Sequence, residues 1–238
     1  CSAMSQAYLG DTFDIHGGGL DLRFPHHENE MAQSHGAGWG FARYWMHNAW
    51  LTLKGEKMSK SVGNVVGVRR LLEDWDPAVV RMSVVTTHYR TNLEYSEDSL
   101  KQAALLWDKF TSFLQQVSGS TPVGAVVPEV CNIYGDVEPD LARQRELAAV
   151  ELPDDFVAAL DDDLNVPGAL PALHRTLKTG KAALASGDAA GAQQAARQLR
   201  AMLDVFGLDP ADPAWATPAP ATQATGAPDT AETPNDTL

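Results

Sequence analysis

The run Phe24-Pro25-His26-His27-Glu28-Asn29-Glu30 packs two imidazoles and two carboxylates into one short segment. Pro25 suits the first turn of a helix, because its missing N–H would find no intrahelical acceptor there and its φ is already helical. The spacing therefore predicts a helix over 25–35. On it His26 and Glu30, four apart, share a face and could meet one metal ion; His27 and Glu30, three apart, are the alternative pair. The positive end of the helix dipole disfavours protonation of His26, and a neutral imidazole is what a metal needs. A His/Glu pair on a helix is also an ordinary solvated pair, so the metal reading gains from a further donor. Cys1 offers a thiolate, and a Cys1/His26/Glu30 set favours zinc over magnesium or calcium. Three ligands leave one position open.

Two other stretches could do chemistry. In Asp14-Ile15-His16-Gly17-Gly18-Gly19-Leu20-Asp21 the three glycines directly after a predicted strand let the backbone approach a ligand closely and adopt positive φ. A flexible turn would look the same. Asp21 could accept hydrogen bonds from a ribose, but the G-x-G-x-x-G spacing of a dinucleotide site is absent. In the run from Gly55 to Asn64, Lys57, Ser59, Lys60 and Ser61 can wrap a polyphosphate, with ammonium groups neutralising charge and hydroxyls filling the remaining acceptors. An exposed basic loop is the alternative.

The elements that must position these residues follow from patterning. Residues 12–15 and 45–53 read as short buried strands, each followed by a motif-bearing loop, which argues α/β architecture with ligands at the carboxyl ends of parallel strands. Ser96 and Glu97, followed by Leu100, Ala104, Trp107, Phe110, Phe113, Leu114 and Val117, form a cap and one continuous helical face. Further helical segments are predicted at 141–152, 156–160, 169–184 and 189–206, the last stopping at Gly207. The expected organisation is a site-bearing α/β region over 1–95, a connecting helix over 96–118, a linker over 119–139 that contains Cys131, a helical domain over 140–208 and a disordered tail over 209–238. The tail's 30 residues hold 6 Pro, 8 Ala and 6 Thr, too little apolar surface to order themselves. No internal repeat is present.

With 238 residues and 44% hydrophobic content the chain suits one large or two small domains, which excludes a disulfide-stapled miniature and a wholly disordered chain. Apolar runs fall far short of a membrane span, and no basic-then-apolar leader precedes the first element, so a soluble, intracellular, cytoplasmic protein is expected. Two cysteines cannot build a framework of bridges, which fits a reducing compartment. A first residue other than Met suggests processing or a piece of a longer protein. The formal charge of −13 is uneven: residues 1–118 hold 11 Lys+Arg against 13 Asp+Glu, and residues 119–238 hold 7 against 18. Nucleic acid would have to meet local basic patches.

Lys57-Met58-Ser59-Lys60-Ser61 matches the KMSKS motif of class I aminoacyl-tRNA synthetases. With residues 13–22, 24–30, Tyr44-Trp45-Met46-His47, Thr87-His88-Tyr89-Arg90, Tyr95-Ser96-Glu97 and Asp161-Asp162-Asp163-Leu164-Asn165-Val166-Pro167, the chain resembles the cysteinyl-tRNA synthetases over about 1–208. The resemblance implies the C-terminal part of a Rossmann-like catalytic domain, then an all-α tRNA-binding domain. It also implies zinc, one per subunit, on Cys1, His26 and Glu30, with a second cysteine and the HIGH motif expected in a preceding segment. On that reading this portion alone is expected to be inactive, and Cys131 is no substitute ligand. The implied reaction joins cysteine to AMP from ATP, with Mg2+, and passes the cysteinyl group to tRNA(Cys). Zinc would select the thiolate, which serine's hydroxyl replaces poorly. Lys57 and Lys60 would act in catalysis, and Lys60, Ser59, Gly17, Gly18, Gly19 and Asp21 would line ATP and the adenylate. His16 and His27 would sit near the substrate. Arg143, Arg145, Arg175, Lys178 and Lys181 would face tRNA phosphates, and the protein is expected to be a monomer without membrane contact. Two other families fit less of the sequence: a cysteine:amino-sugar ligase of mycothiol-type thiol biosynthesis, and a non-catalytic zinc or RNA-binding module.

Overall fold

Helix-forming periodicity dominates the second half of the chain and alternates with short strands in the first. A computed structural model describes residues 1–53, 55–58, 65–119 and 141–212. In chain order it contains α1 (Ser2–Leu9), β1 (Phe13–Gly19), α2 (Glu28–Gly36), β2 (Ala42–Asn48), β3 (Leu51–Leu53), β4 (Glu56–Lys57), α3 (Val68–Asp74), α4 (Pro77–Val85), β5 (Leu93–Tyr95) and α5 (Glu97–Ser118). The helices α6 (Leu141–Ala148), α7 (Asp154–Asp161), α8 (Val166–Ser186) and α9 (Ala189–Val205) follow. Among the described residues no helix is long and apolar enough to cross a membrane.

Strands β1 and β2 pair in parallel, with His16 beside Trp45, Gly17 beside Met46 and Gly18 beside His47. Strand β3 lies between β4, antiparallel to it, and β5, parallel to it. These strands correct the sequence reading in three ways. The predicted strand at 12–15 runs on through Gly17, Gly18 and Gly19, which lie in extended backbone rather than in a positive-φ turn. The run at 45–53 breaks at Ala49 and Trp50, so that its two halves join different sheets. Neither strand is buried as expected, for Ile15 and Tyr44 stand open on the far face. Helix α2 begins at Glu28, not at Pro25: the Phe24–Pro25 peptide is cis, Phe24 is extended, and His26 stands in an irregular turn ahead of the helix.

The core is helical. Met82 of α4, Phe110 and Phe113 of α5, Phe156 of α7, Leu173 of α8, and Leu199, Met202 and Leu203 of α9 are buried in one cluster. Helix α5 starts as the sequence predicts: Ser99 N–H donates to Ser96 Oγ at 3.1 Å, and Ser96 N–H donates to Ser99 Oγ at 3.3 Å. Helices α5 and α8 pack closely at Gly180, where an added Cβ would fall 2.2 Å from Phe113 Cζ. Helix α4, in the region grouped with the site by composition, thus contributes to the same core as the helices after residue 96.

Two expectations about charged residues fail in this region. Arg143 is not a phosphate contact: it is buried, and its guanidinium donates to Asp204 at 2.6 Å, Asp209 at 2.9 Å and Asp212 at 2.7 Å. Asp209, expected to open a disordered tail, is fully buried and also receives Arg200 through two bonds of 3.0 and 2.9 Å. Carboxylates beyond the last helix fold back because two guanidiniums await them, and composition carries no trace of that. Arg175 is likewise engaged, with Asp155. Cys131 and residues 213–238 lie outside the described residues.

Candidate metal and nucleotide site

A donor ahead of α1 meets two from the entry to α2 and its first turn. One ligand atom each from Cys1, His26 and Glu30 lies within 4.8 Å of the others. Ligands at tetrahedral zinc distances of about 2.0–2.3 Å stand roughly 3.3–3.8 Å apart, so this trio needs only small side-chain movements to close on one ion. His26 Nε2 is 3.4 Å from Glu30 Oε1. The sequence did not single out Ser2, which fixes this geometry. Its buried hydroxyl sits 3.1 Å from the Glu30 carbonyl oxygen and 2.9 Å from Gln33 Oε1, pinning the first turn of α1, and with it Cys1, against α2.

A second set, His16, His27 and Glu30, shares the same carboxylate. His16 Nε2 bonds Glu30 Oε2 at 2.8 Å, and His27 Nδ1 bonds His47 Nε2 at 2.9 Å. The second set lacks a thiolate and has one ring nitrogen committed to His47. Its fit is that of an orienting shell: His16 holds one Glu30 oxygen while the other faces His26. Strand pairing explains the cluster, because residues two apart on a strand share a face. His16 and Gly18 of β1 lie beside Trp45 and His47 of β2, and the His27 ring packs down on Gly18, where an added Cβ would come 3.0 Å from His27 Cε1. Gly18 is therefore needed for close packing of an imidazole. Burial, followed by the neighbouring His16, holds the His27 imidazole below its ordinary pKa, so the ring stays neutral. Beside it lies a cavity of about 300 Å³ lined by Arg23, His27, Glu28, Met31, Trp45 and His47. His47 reaches this site through its register opposite Gly18, which motif spacing alone does not give.

At the other end of the glycine strand, Asp21 accepts Lys57 Nζ at 2.7 Å, and the same ammonium lies over the Trp50 ring at 5.1 Å. The Lys57 hydrogen bond holds the Asp21 carboxyl below its ordinary pKa. Asp21 is thus occupied by a lysine in this state, where the sequence offered it to a ribose. Strand β4 fixes Lys57 opposite Thr52 of β3. Ser59 and Lys60 lie outside the described residues. Arg145, Lys178 and Lys181 are exposed, and the last two, three apart on α8, share a face.

The chain is similar to known proteins over most of its length. The family described as tRNA synthetases class I (C) catalytic domain matches residues 1–105, and the DALR domain matches residues 155–209. A cysteine–tRNA ligase of Beutenbergia cavernae is 48% identical over 96% of this chain and 45% of its own length. One of Streptomyces coelicolor is 47% identical over 91% of this chain and 32% of its own, and one of Cutibacterium acnes is 44% identical over 91% and 41%. The chain therefore spans less than half the length of each of these relatives. Among solved structures, the LeuRS–tRNA–LeuAMS ternary complex of Agrobacterium radiobacter K84 shares the fold, with a TM-score of 0.55 and 17% identity over 83% of this chain and 26% of that one.

Proposed function

We infer, from a chain that belongs to the cysteine–tRNA ligase family of class I synthetases, that it works in the ATP-dependent attachment of cysteine to tRNA(Cys). The observation that carries this reading is the meeting of Cys1, His26 and Glu30 donor atoms within 4.8 Å. The donor set is soft at one corner and neutral or anionic at the others, which suits zinc. Zinc bound there would supply a soft Lewis acid that prefers the cysteine thiolate to the serine hydroxyl.

The chain's own residues supply the rest. His16 fixes the orientation of Glu30, and His27, kept neutral and tied to His47, lines the adjoining cavity without adding positive charge. When the cysteine carboxylate attacks the α-phosphorus of ATP, pyrophosphate leaves carrying additional negative charge. Lys57 and Lys60 would neutralise it and the Ser59 hydroxyl would donate a hydrogen bond to it, and Lys57 must exchange Asp21 for phosphate to do so. Mg2+ would accompany ATP. In the second step a terminal ribose hydroxyl attacks the cysteinyl carbonyl and AMP leaves. Lys178 and Lys181, with Arg145, would offer the tRNA backbone a basic face.

The test is cysteine-dependent ATP–pyrophosphate exchange and tRNA(Cys) aminoacylation by the natural full-length protein. Activity with cysteine but not serine is expected. Substitution His26→Ala should cost at least tenfold in kcat/KM for cysteine, the lower end for disturbed metal sites. Exchange that is absent, or equal with serine, contradicts the reading.

A further inference from the structure

Two motifs that the site does not use are brought together by the fold. One is Thr87-His88-Tyr89-Arg90, between α4 and β5; the other is Asp161-Asp162-Asp163-Leu164-Asn165, between α7 and α8. Asp163 accepts the Tyr89 hydroxyl at 2.5 Å and two Arg90 guanidinium donors, Nε at 2.5 Å and Nη2 at 3.1 Å. His88 stacks on the Tyr89 ring at 5.0 Å, and the Arg90 guanidinium lies over that ring at 5.1 Å. Among the described residues, Asp163 and Leu164 are the two non-glycine residues with positive φ, at 56° and 54°. Leu164, a bulky residue, is held in a backbone region that it rarely enters.

The contacts continue toward Lys57. Tyr89 carbonyl oxygen accepts Ala49 N–H at 2.8 Å, Asn92 Oδ1 accepts Trp50 N–H at 3.1 Å, and Leu93 N–H donates to the Trp50 carbonyl at 2.9 Å. Glu94 accepts the Thr52 hydroxyl at 2.5 Å and Gly55 N–H at 3.3 Å. Trp50 carries Lys57 on its ring, and Thr52 pairs with Lys57 across the β3–β4 ladder. One segment, 88–95, therefore grips the turn between α7 and α8 at one end and the backbone under Lys57 at the other.

An exposed ion pair adds little stability, yet two donors from one guanidinium and a phenol on a single carboxylate fix direction as well as distance. We propose that Asp163, with Tyr89 and Arg90, is a positioning latch that sets the helical unit, and through it bound tRNA, against strands β3 and β4, which present Lys57. The proposal rests on the tRNA ligase reading for its activity readout, but the latch itself is also open to a structural measurement. The carboxylate of Asp163 is held ionised by Arg90 and Tyr89, and the facing groups His88 and Arg90 add no competing negative charge, so the latch stays formed across neutral pH.

The test uses Asp163→Asn and Arg90→Gln in the natural full-length protein. Asparagine tolerates positive φ, so the first substitution removes the charge and spares the turn. Two readouts separate the possibilities. Aminoacylation kcat/KM for tRNA should fall roughly tenfold, within the usual range of coupling between sites, while cysteine-dependent pyrophosphate exchange stays within about twofold. The double variant should be no worse than either single one, since both remove the same interaction. Amide hydrogen exchange should lose protection at Ala49 and Leu93 in either variant. Unchanged aminoacylation together with unchanged protection overturns the latch; so does a parallel fall in both activities accompanied by a lower melting temperature. Lost protection at Ala49 and Leu93, in a protein that charges no tRNA(Cys) even unsubstituted, would uphold the latch and remove the function.

Discussion

Phe110, Phe113 and Phe156 in the helical half are wholly buried, whereas in the site-bearing half Ile15 is 60% exposed, Tyr44 68% and Phe24 77%. The first half holds its shape through specific polar contacts and ring packing around Glu30 and His27; the second holds it through a continuous apolar core. Burial of a phenylalanine side chain is worth several kcal/mol, and an exposed ion pair a fraction of one. Stability and chemistry are thus divided between the halves.

The division is sharpened or broken by four substitutions, compared by denaturant unfolding of the same chain. Phe113→Ala should be the most damaging, at about 3–5 kcal/mol, because it opens a cavity between α5 and α8. A loss under about 1 kcal/mol would mean the helical core is not the stabilising part. Asp209→Ala comes next, at about 3 kcal/mol, since it strips a buried partner from Arg143 and Arg200; an effect near zero would show that Asp204 and Asp212 satisfy Arg143 by themselves. Ser2→Ala, in the site-bearing half, should cost about 1 kcal/mol, the value of an ordinary hydrogen bond. A cost matching that of Phe113→Ala would erase the contrast between the halves.

The smallest effect is expected at Asp21→Asn, below about 0.5 kcal/mol, because the Lys57 pair is solvent-exposed. Its pH dependence has a definite sign. Lys57 depresses the folded pKa of Asp21 below the ordinary 3.8. The pair's contribution is therefore complete above that value and is lost as the pH falls through the lower, folded pKa. Thermal melts of the two proteins should differ slightly at neutral pH and converge in acid; a gap that widens in acid contradicts the pairing.

What could be read from the sequence follows the range of the interactions concerned. The helices after residue 96 were legible because caps and apolar spacing are local: Ser96, the face through Phe110 and Phe113, and the stop at Gly207 all stand where periodicity placed them, whereas the short helices α1, α3 and α4 were not foreseen. The Cys1, His26 and Glu30 set was legible because two of its members are a helical turn apart, although the helix begins later than Pro25 suggested. Arg143 was misread because its partners lie 61, 66 and 69 residues away. The strands at 12–15 and 45–53 were legible as strands, but their open face and the run through the glycines were not, because a two-stranded ladder leaves one face uncovered and Gly18 lies in it with the His27 ring packed against it. His47 and Ser2 act only through partners that the fold brings to them.

The account turns on whether the opening thiol, one imidazole and one carboxylate hold a single zinc ion. Zinc content of the purified natural protein, measured beside its His26→Ala variant after identical dialysis, decides it: zinc retained by the first and lost by the second is the predicted result, and equal zinc in both would contradict it.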